Sequence, residues 1–153
     1  MSETRRIISQ LRRAYEGEAW HGPSVCELLD GVTADQAARR PIPTAHTIWE
    51  LVLHIAAWER AARRRIIEWT AEDVRDEENF PAIPDTSEAA WSAAREELRQ
   101  TNSALREAIS ALQDSDLERM IERAPYSAYF LLHGVVQHDL YHAGQIALLK
   151  KAV

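Results

Sequence analysis

A chain of 153 residues with 46% apolar and 27% charged side chains can bury a core without a disulfide or metal to fold it, and reads as one domain. Its net charge of −6 argues against a phosphate-backbone binder, so no nucleic-acid partner is expected. The lone Cys26 permits no internal disulfide, no apolar run is long enough to span a bilayer and the N-terminus has no apolar h-region, so the expected setting is the cytoplasm, away from membranes.

Glycine and proline are few, while Ala, Leu, Glu and Arg are abundant, which favours helix. Ile7, Ile8, Leu11 and Tyr15 recur at helical spacing and predict a first helix over roughly 3–18, broken by Trp20-His21-Gly22-Pro23. A short helix through Val25, Leu28 and Leu29 stops at Gly31. Thr33 caps a further turn, ended by Arg40-Pro41-Ile42-Pro43. The second long helix is expected over roughly 45–71 with Thr44 as its cap. The acidic, proline-broken stretch 72–84 reads as a surface loop. Asp85, Thr86 or Ser87 then caps a third helix to about Gln113, with the stripe Trp91, Leu98, Leu105, Ile109 and Leu112. Asp114-Ser115-Asp116 marks a break and a candidate short helix. The last long helix is expected from about Tyr126 to Lys150, with Lys150 and Lys151 suiting its negative end. No alternating strand pattern stands out. Four long helices point to an all-α four-helix bundle, with short extra helices in the first long connection, 19–44, leaving the helix order open.

The last helix carries the chemistry. Between Val135 and Gln145 the chain reads VVQHDLYHAGQ, with His138 and His142 four residues apart and therefore on one face. That face continues through Leu131, Val135, Gln145 and Leu149 at spacings of three and four, so both imidazoles are expected to point at the core. Buried imidazoles need partners: a metal ion supplies one for both, and internal hydrogen bonds are the plain alternative. The pair resembles the H-E-x-x-H helix of zinc proteases, but Asp139 replaces the glutamate. The tail after His142 also holds no His, Cys, Asp or Glu to act as third ligand. A third ligand must come from upstream. The best candidate is His54, between Leu53 and Ile55 in the most apolar helix. His46 reads as a capping or pocket residue, His21 lies in a turn, and His133 faces away from the pair. Three neutral imidazoles leave an open coordination position, as catalytic zinc sites do, and suit Zn, Ni, Fe or Cu alike.

Other residues carry two readings each. Glu50, one turn before His54, is a candidate hydrogen-bond partner for its ring or a solvated ion-pair member. Asp139 is a candidate proton acceptor near the metal, but at about 100° around the helix from His138 it is expected on a flank. Gln145 either bonds a metal-bound water or closes the bundle end. Trp49, Trp58 and Trp91 either wall a pocket or fill the core. Tyr141 is a donor or a packing residue, Arg63-Arg64-Arg65 a solvated face or an attractor of anions, and Cys26 packs.

Several segments together resemble the DinB/YfiT-like family of metal-dependent proteins over nearly the whole chain. They are Trp20-His21-Gly22-Pro23-Ser24, Arg40-Pro41, the run from His46 to Glu59, and the run from Gln137 to Ile146. The resemblance implies an up-down-down-up four-helix bundle, often a homodimer, with divalent nickel or zinc on three histidines. By position these are His54, His138 and His142. It further implies a small-molecule substrate and a low-molecular-weight thiol cofactor, since characterised relatives include bacterial thiol transferases and a mycothiol-dependent isomerase. The leading expectation is a metal-dependent S-transferase. A metal-dependent hydrolase and a non-enzymatic binding module are the alternatives. The family name evokes DNA damage, which the acidic charge does not support.

Overall fold

The structure, a computed structural model, describes all residues 1–153. Seven α-helices run in order: α1 Glu3–Tyr15, α2 Val25–Leu29, α3 Ala34–Ala38, α4 Ile48–Glu68, α5 Asp76–Asn79, α6 Glu88–Ser110 and α7 Ala128–Leu149. A 3₁₀ turn at Asp114–Glu118 follows α6. No helix is long and apolar enough to cross a membrane.

The caps set the register. Ser24 and Thr33 start α2 and α3 with reciprocal capping boxes, satisfying orphan amides at each start. Thr47, not Thr44, starts α4. Its hydroxyl accepts from the Glu50 amide at 3.1 Å, and the Glu50 carboxylate accepts from the Thr47 amide at 2.8 Å. Arg40 holds the other Glu50 oxygen at 2.6 Å. Glu50 therefore spends both oxygens on the helix start, and is not the partner of His54. Ser87 caps α6 and Ser127 caps α7. Lys150 reaches across to the Asp30 carbonyl at 2.8 Å.

The four long helices pack as a ring in which α4 touches α6 and α7, and α1 touches α6 and α7. Their directions follow from the contacts. The start of α1 meets the turn just after α6 through Thr4 and Asp114, while Glu16 beyond its end meets Arg106, so α1 and α6 are antiparallel. Trp49 meets Trp91 and Glu59 meets Asn102, so α4 and α6 run parallel. Arg65 meets Tyr126 and His54 meets His138, so α4 and α7 are antiparallel. The order is up-down-down-up, as the family resemblance implies. It requires the long connections 16–47 and 69–87.

The apolar core is split in two. One cluster gathers Trp49, Ile55, Trp91, Leu98 and Ile146 with the short helices α2 and α3. The other gathers Ile7, Leu11, Ile66, Leu105 and Leu132. Between them, in chain position on α4, α6 and α7, lie the buried polar residues Glu59, Asn102, Asp139 and His142, with buried His54 close by on α4. Burying a layer of charge-bearing groups is costly unless each has a partner. That cost directs attention to this level of the bundle.

Candidate metal centre

His54 projects from the middle of α4 and is 7% exposed. Its Nδ1 lies 3.0 Å from the Asn79 carbonyl, which can only accept, so Nδ1 carries the proton and Nε2 presents a lone pair. Asn79 also accepts the Trp58 indole N–H at 2.8 Å through its side chain. Phe80 stacks on the His54 ring at 4.3 Å and on His46 at 3.8 Å. The stretch expected to be a plain surface loop is thus folded down by α5 onto the site. Four residues of helix turn its last carbonyl and the following aromatic toward α4.

On α7, the Nδ1 of His142 lies 2.6 Å from Gln145 Oε1, one turn on, and donates to it. Gln145 therefore orients a ring rather than standing free for a bound water. The Nε2 atoms converge: His138 lies 3.0 Å from His54 and 3.2 Å from His142. With Nδ1 protonated on His54 and His142, two Nε2 lone pairs face one His138 nitrogen. A single N–H there could serve only one of them, so hydrogen bonds alone leave a buried lone pair without a partner. A tetrahedral ion with Zn–N bonds of 2.0–2.1 Å holds its nitrogens about 3.3 Å apart, close to the spacing seen. The three rings offer ligand atoms all within 4.8 Å of one another. Burial pushes the rings of His138 and His142 down to about 4, and lowers His54 too, so all three are neutral at pH 7, the form a metal takes. The donor set fits a divalent ion.

Asp139 overturns the expectation of a flank. It is 1% exposed and faces the bundle interior beside Glu59, while the histidine face lies toward α4, with His138 26% exposed. Glu59 is wholly buried. It accepts from Asn102 Nδ2 at 2.6 Å and from the Thr101 hydroxyl at 3.1 Å. Asp139 Oδ1 sits 3.7 Å from His138 Nδ1, and neither atom has a hydrogen-bond partner. A small rotation would let that ring donate to the carboxylate, leaving its Nε2 as the third lone pair. The sequence reading missed Glu59, although the signal was present. Ile55, Glu59, Ala62 and Ile66 form a buried seam at spacings of four, three and four. Leu98, Asn102, Leu105 and Ile109 repeat it on α6.

Burial, and after it the charge of Asp139, raises Glu59 well above the usual carboxylate range, and burial raises Asp139. A raised folded-state pKa contributes stability that is fully present below the unfolded value of about 4 and is lost as pH rises through the folded value. Metal-free protein should therefore lose stability on this account from about pH 4 toward neutrality and beyond. Asp139→Asn does not titrate. In melts of EDTA-treated protein it is expected to gain on wild type as pH rises, by more than about 1 kcal/mol at pH 8. A constant offset at every pH would mean that Asp139 is ionised throughout.

The remaining candidates separate cleanly. Trp49 and Trp91 are core, whereas Trp58 edges against His54 at 6.3 Å and lies tilted against His138 at 5.9 Å. Tyr141 is 66% exposed with its ring against His142 at 5.0 Å. His133 lies 3.4 Å from Glu3, His46 lies 3.4 Å from Glu50, and His21 is exposed, so none joins the cluster. Of the arginine run only Arg63 is exposed, Arg64 is half-buried, and Arg65 is 7% exposed. Cys26 lies against Tyr15, and burial pushes its thiol up, away from the reactive form.

No curated protein and no solved structure matches the chain. A family model described as the DinB superfamily matches residues 23–146, which takes in His54, Glu59, Asn79, His138, Asp139 and His142. An all-α bundle that brings these three histidines together, and a family match over most of its length, lead to one identification: the chain belongs to the DinB superfamily.

Proposed function

We propose that the protein is a metal-dependent enzyme of S-transferase type, with zinc or nickel held by His54, His138 and His142, acting on a small electrophile with a low-molecular-weight thiol. The observation that carries this reading is the convergence of the three Nε2 atoms, two of them fixed as lone pairs by Asn79 and Gln145. When bound, the ion supplies Lewis acidity that favours the deprotonated form of a thiol or water at an open coordination position. The chain's own residues set the rest. The Asn79 carbonyl and Gln145 hold two rings in one tautomer and orientation. Trp58 and Phe80 pack on the imidazoles and limit water. Three neutral ligands cancel none of the ion's charge, which suits an anionic nucleophile.

The test is turnover of a nitroaryl chloride with a panel of thiols, in which an S–C bond forms and chloride leaves. Zinc- or nickel-loaded protein is expected to accelerate the reaction, and His54→Ala to lose about a hundredfold or more while keeping its helical circular dichroism. Hydrolysis of ester probes without any thiol would assign the site to a hydrolase. Metal binding with neither activity would assign it to a binding module. We also propose a homodimer, tested by sedimentation.

A further inference from the structure

Arg65 is the one arginine buried in the fold. Arg40, Arg60, Arg99 and Arg106 each reach a carboxylate at 2.5–2.6 Å. Arg65 is 7% exposed, and its partners are neutral: the Tyr126 hydroxyl at 3.2 Å from Nη1 and the Glu72 carbonyl at 3.1 Å from Nη2. Its Nε is buried and donates to nothing. Of five N–H groups, three lack a protein acceptor, and the charge lacks a counter-ion. A buried guanidinium in that state is costly, and a planar carboxylate is the group whose geometry best answers it.

Arg65 is one of the residues that line a cavity of about 220 Å³. The other walls are apolar or aromatic, Trp58, Tyr126, Phe130 and Gly134 among them, and His138 of the three-histidine cluster also lines it. Arg65 lies 5.5 Å from the Trp58 ring, and Phe130 is 66% exposed. One unpaired cation among aromatic walls suits a ligand with a flat apolar body and a single anionic end. The volume suits a small one.

We propose that this cavity is the subsite for a small aromatic monocarboxylate, its carboxylate on Arg65 and its ring among Trp58, Tyr126 and Phe130, beside His138. This names the class of the electrophile in the proposed function, and rests on that reading for the reaction though not for the binding.

The probe is benzoate, titrated into EDTA-treated full-length protein and followed by tryptophan fluorescence and calorimetry. Saturable binding about tenfold or more tighter than that of benzyl alcohol is expected. Arg65→Met should bring benzoate to the level of benzyl alcohol. Gly134 lies on the cavity wall, with open space where a Cβ would stand, so Gly134→Leu should fill the cavity and abolish binding. It should keep or raise the melting temperature, because leucine favours helix over glycine. Equal affinity for benzoate and benzyl alcohol in wild type, undetectable benzoate binding, or binding that survives Gly134→Leu would overturn the inference. Benzoate binding that appears only with added zinc and vanishes in His54→Ala would place the carboxylate on the metal, overturning the Arg65 subsite but not the metal centre. Benzoate behaving as expected while zinc fails to bind would keep the subsite and overturn the metal centre.

Discussion

His138→Ala is expected to lower bound metal from about one ion per chain to less than a tenth of that, measured by elemental mass spectrometry on tag-free protein. His138 Nε2 stands between the Nε2 atoms of His54 and His142, so its loss removes the central donor, and the remaining two are on different helices. Wild type at a zinc concentration about a hundredfold above Kd should gain about 2.7 kcal/mol. For a chain of this size that is a rise in melting temperature of roughly 5–10 °C. The variant should show no rise. The metal-free variant should melt cooperatively with the helical content of wild type, because both apolar clusters lie outside the site. Equal zinc shifts in both proteins would make the histidines hydrogen-bonding core residues and remove the metal centre. Purification can strip an open site, so the zinc and nickel titration accompanies the elemental measurement.

Trp91→Ala is expected to have the largest effect on stability and none on the metal centre. The indole is 0% exposed, packs against Trp49 at 5.1 Å, and donates its N–H to the Val32 carbonyl at 2.8 Å. Truncating a buried tryptophan costs about 3–5 kcal/mol, and the orphaned Val32 carbonyl adds about 1 kcal/mol or more. Against total stabilities of about 5–15 kcal/mol, the variant should be largely unfolded near 40 °C or strongly shifted in urea midpoint. Trp91→Phe keeps most of the volume and should cost about half as much. Trp91 is on α6, which supplies no histidine to the cluster, so zinc affinity of the folded fraction should match wild type. A loss of stability below about 1 kcal/mol in Trp91→Ala would mean that α2 and α3 are not tied to the bundle through this residue.

Local patterns carried much of this molecule. Three- and four-residue spacing of apolar side chains placed all four long helices to within a few residues. Proline, glycine and hydroxyl caps placed α2 and α3. The i, i+4 pair on α7 was readable from its helical face, and the lone histidine in the apolar run of α4 was the best upstream candidate; the family resemblance joined the three into one set. The Thr47–Glu50 box was also written in the chain, and was read too early at Thr44.

What a helix faces is another matter, since periodicity tells which side is inward but not what stands opposite. Only the pairing of α4 with α7 brought His54 to His138, and turned the histidine face toward that pair while Asp139 took the interior. Only the parallel packing of α4 on α6 gave Glu59 the Asn102 amide. Only the fold of α5 laid Asn79 and Phe80 on His54, and only burial at the α4 end separated Arg65 from its two neighbours in an arginine run. The sequence by itself determined the class of the fold, the long helices to within a few residues and, through the family resemblance, which three histidines belong together. The tertiary structure decided the tautomer of His54, the approach of His54 to His138 and the cavity beside them, because those depend on distances between residues 25 to 84 positions apart, which no local pattern encodes.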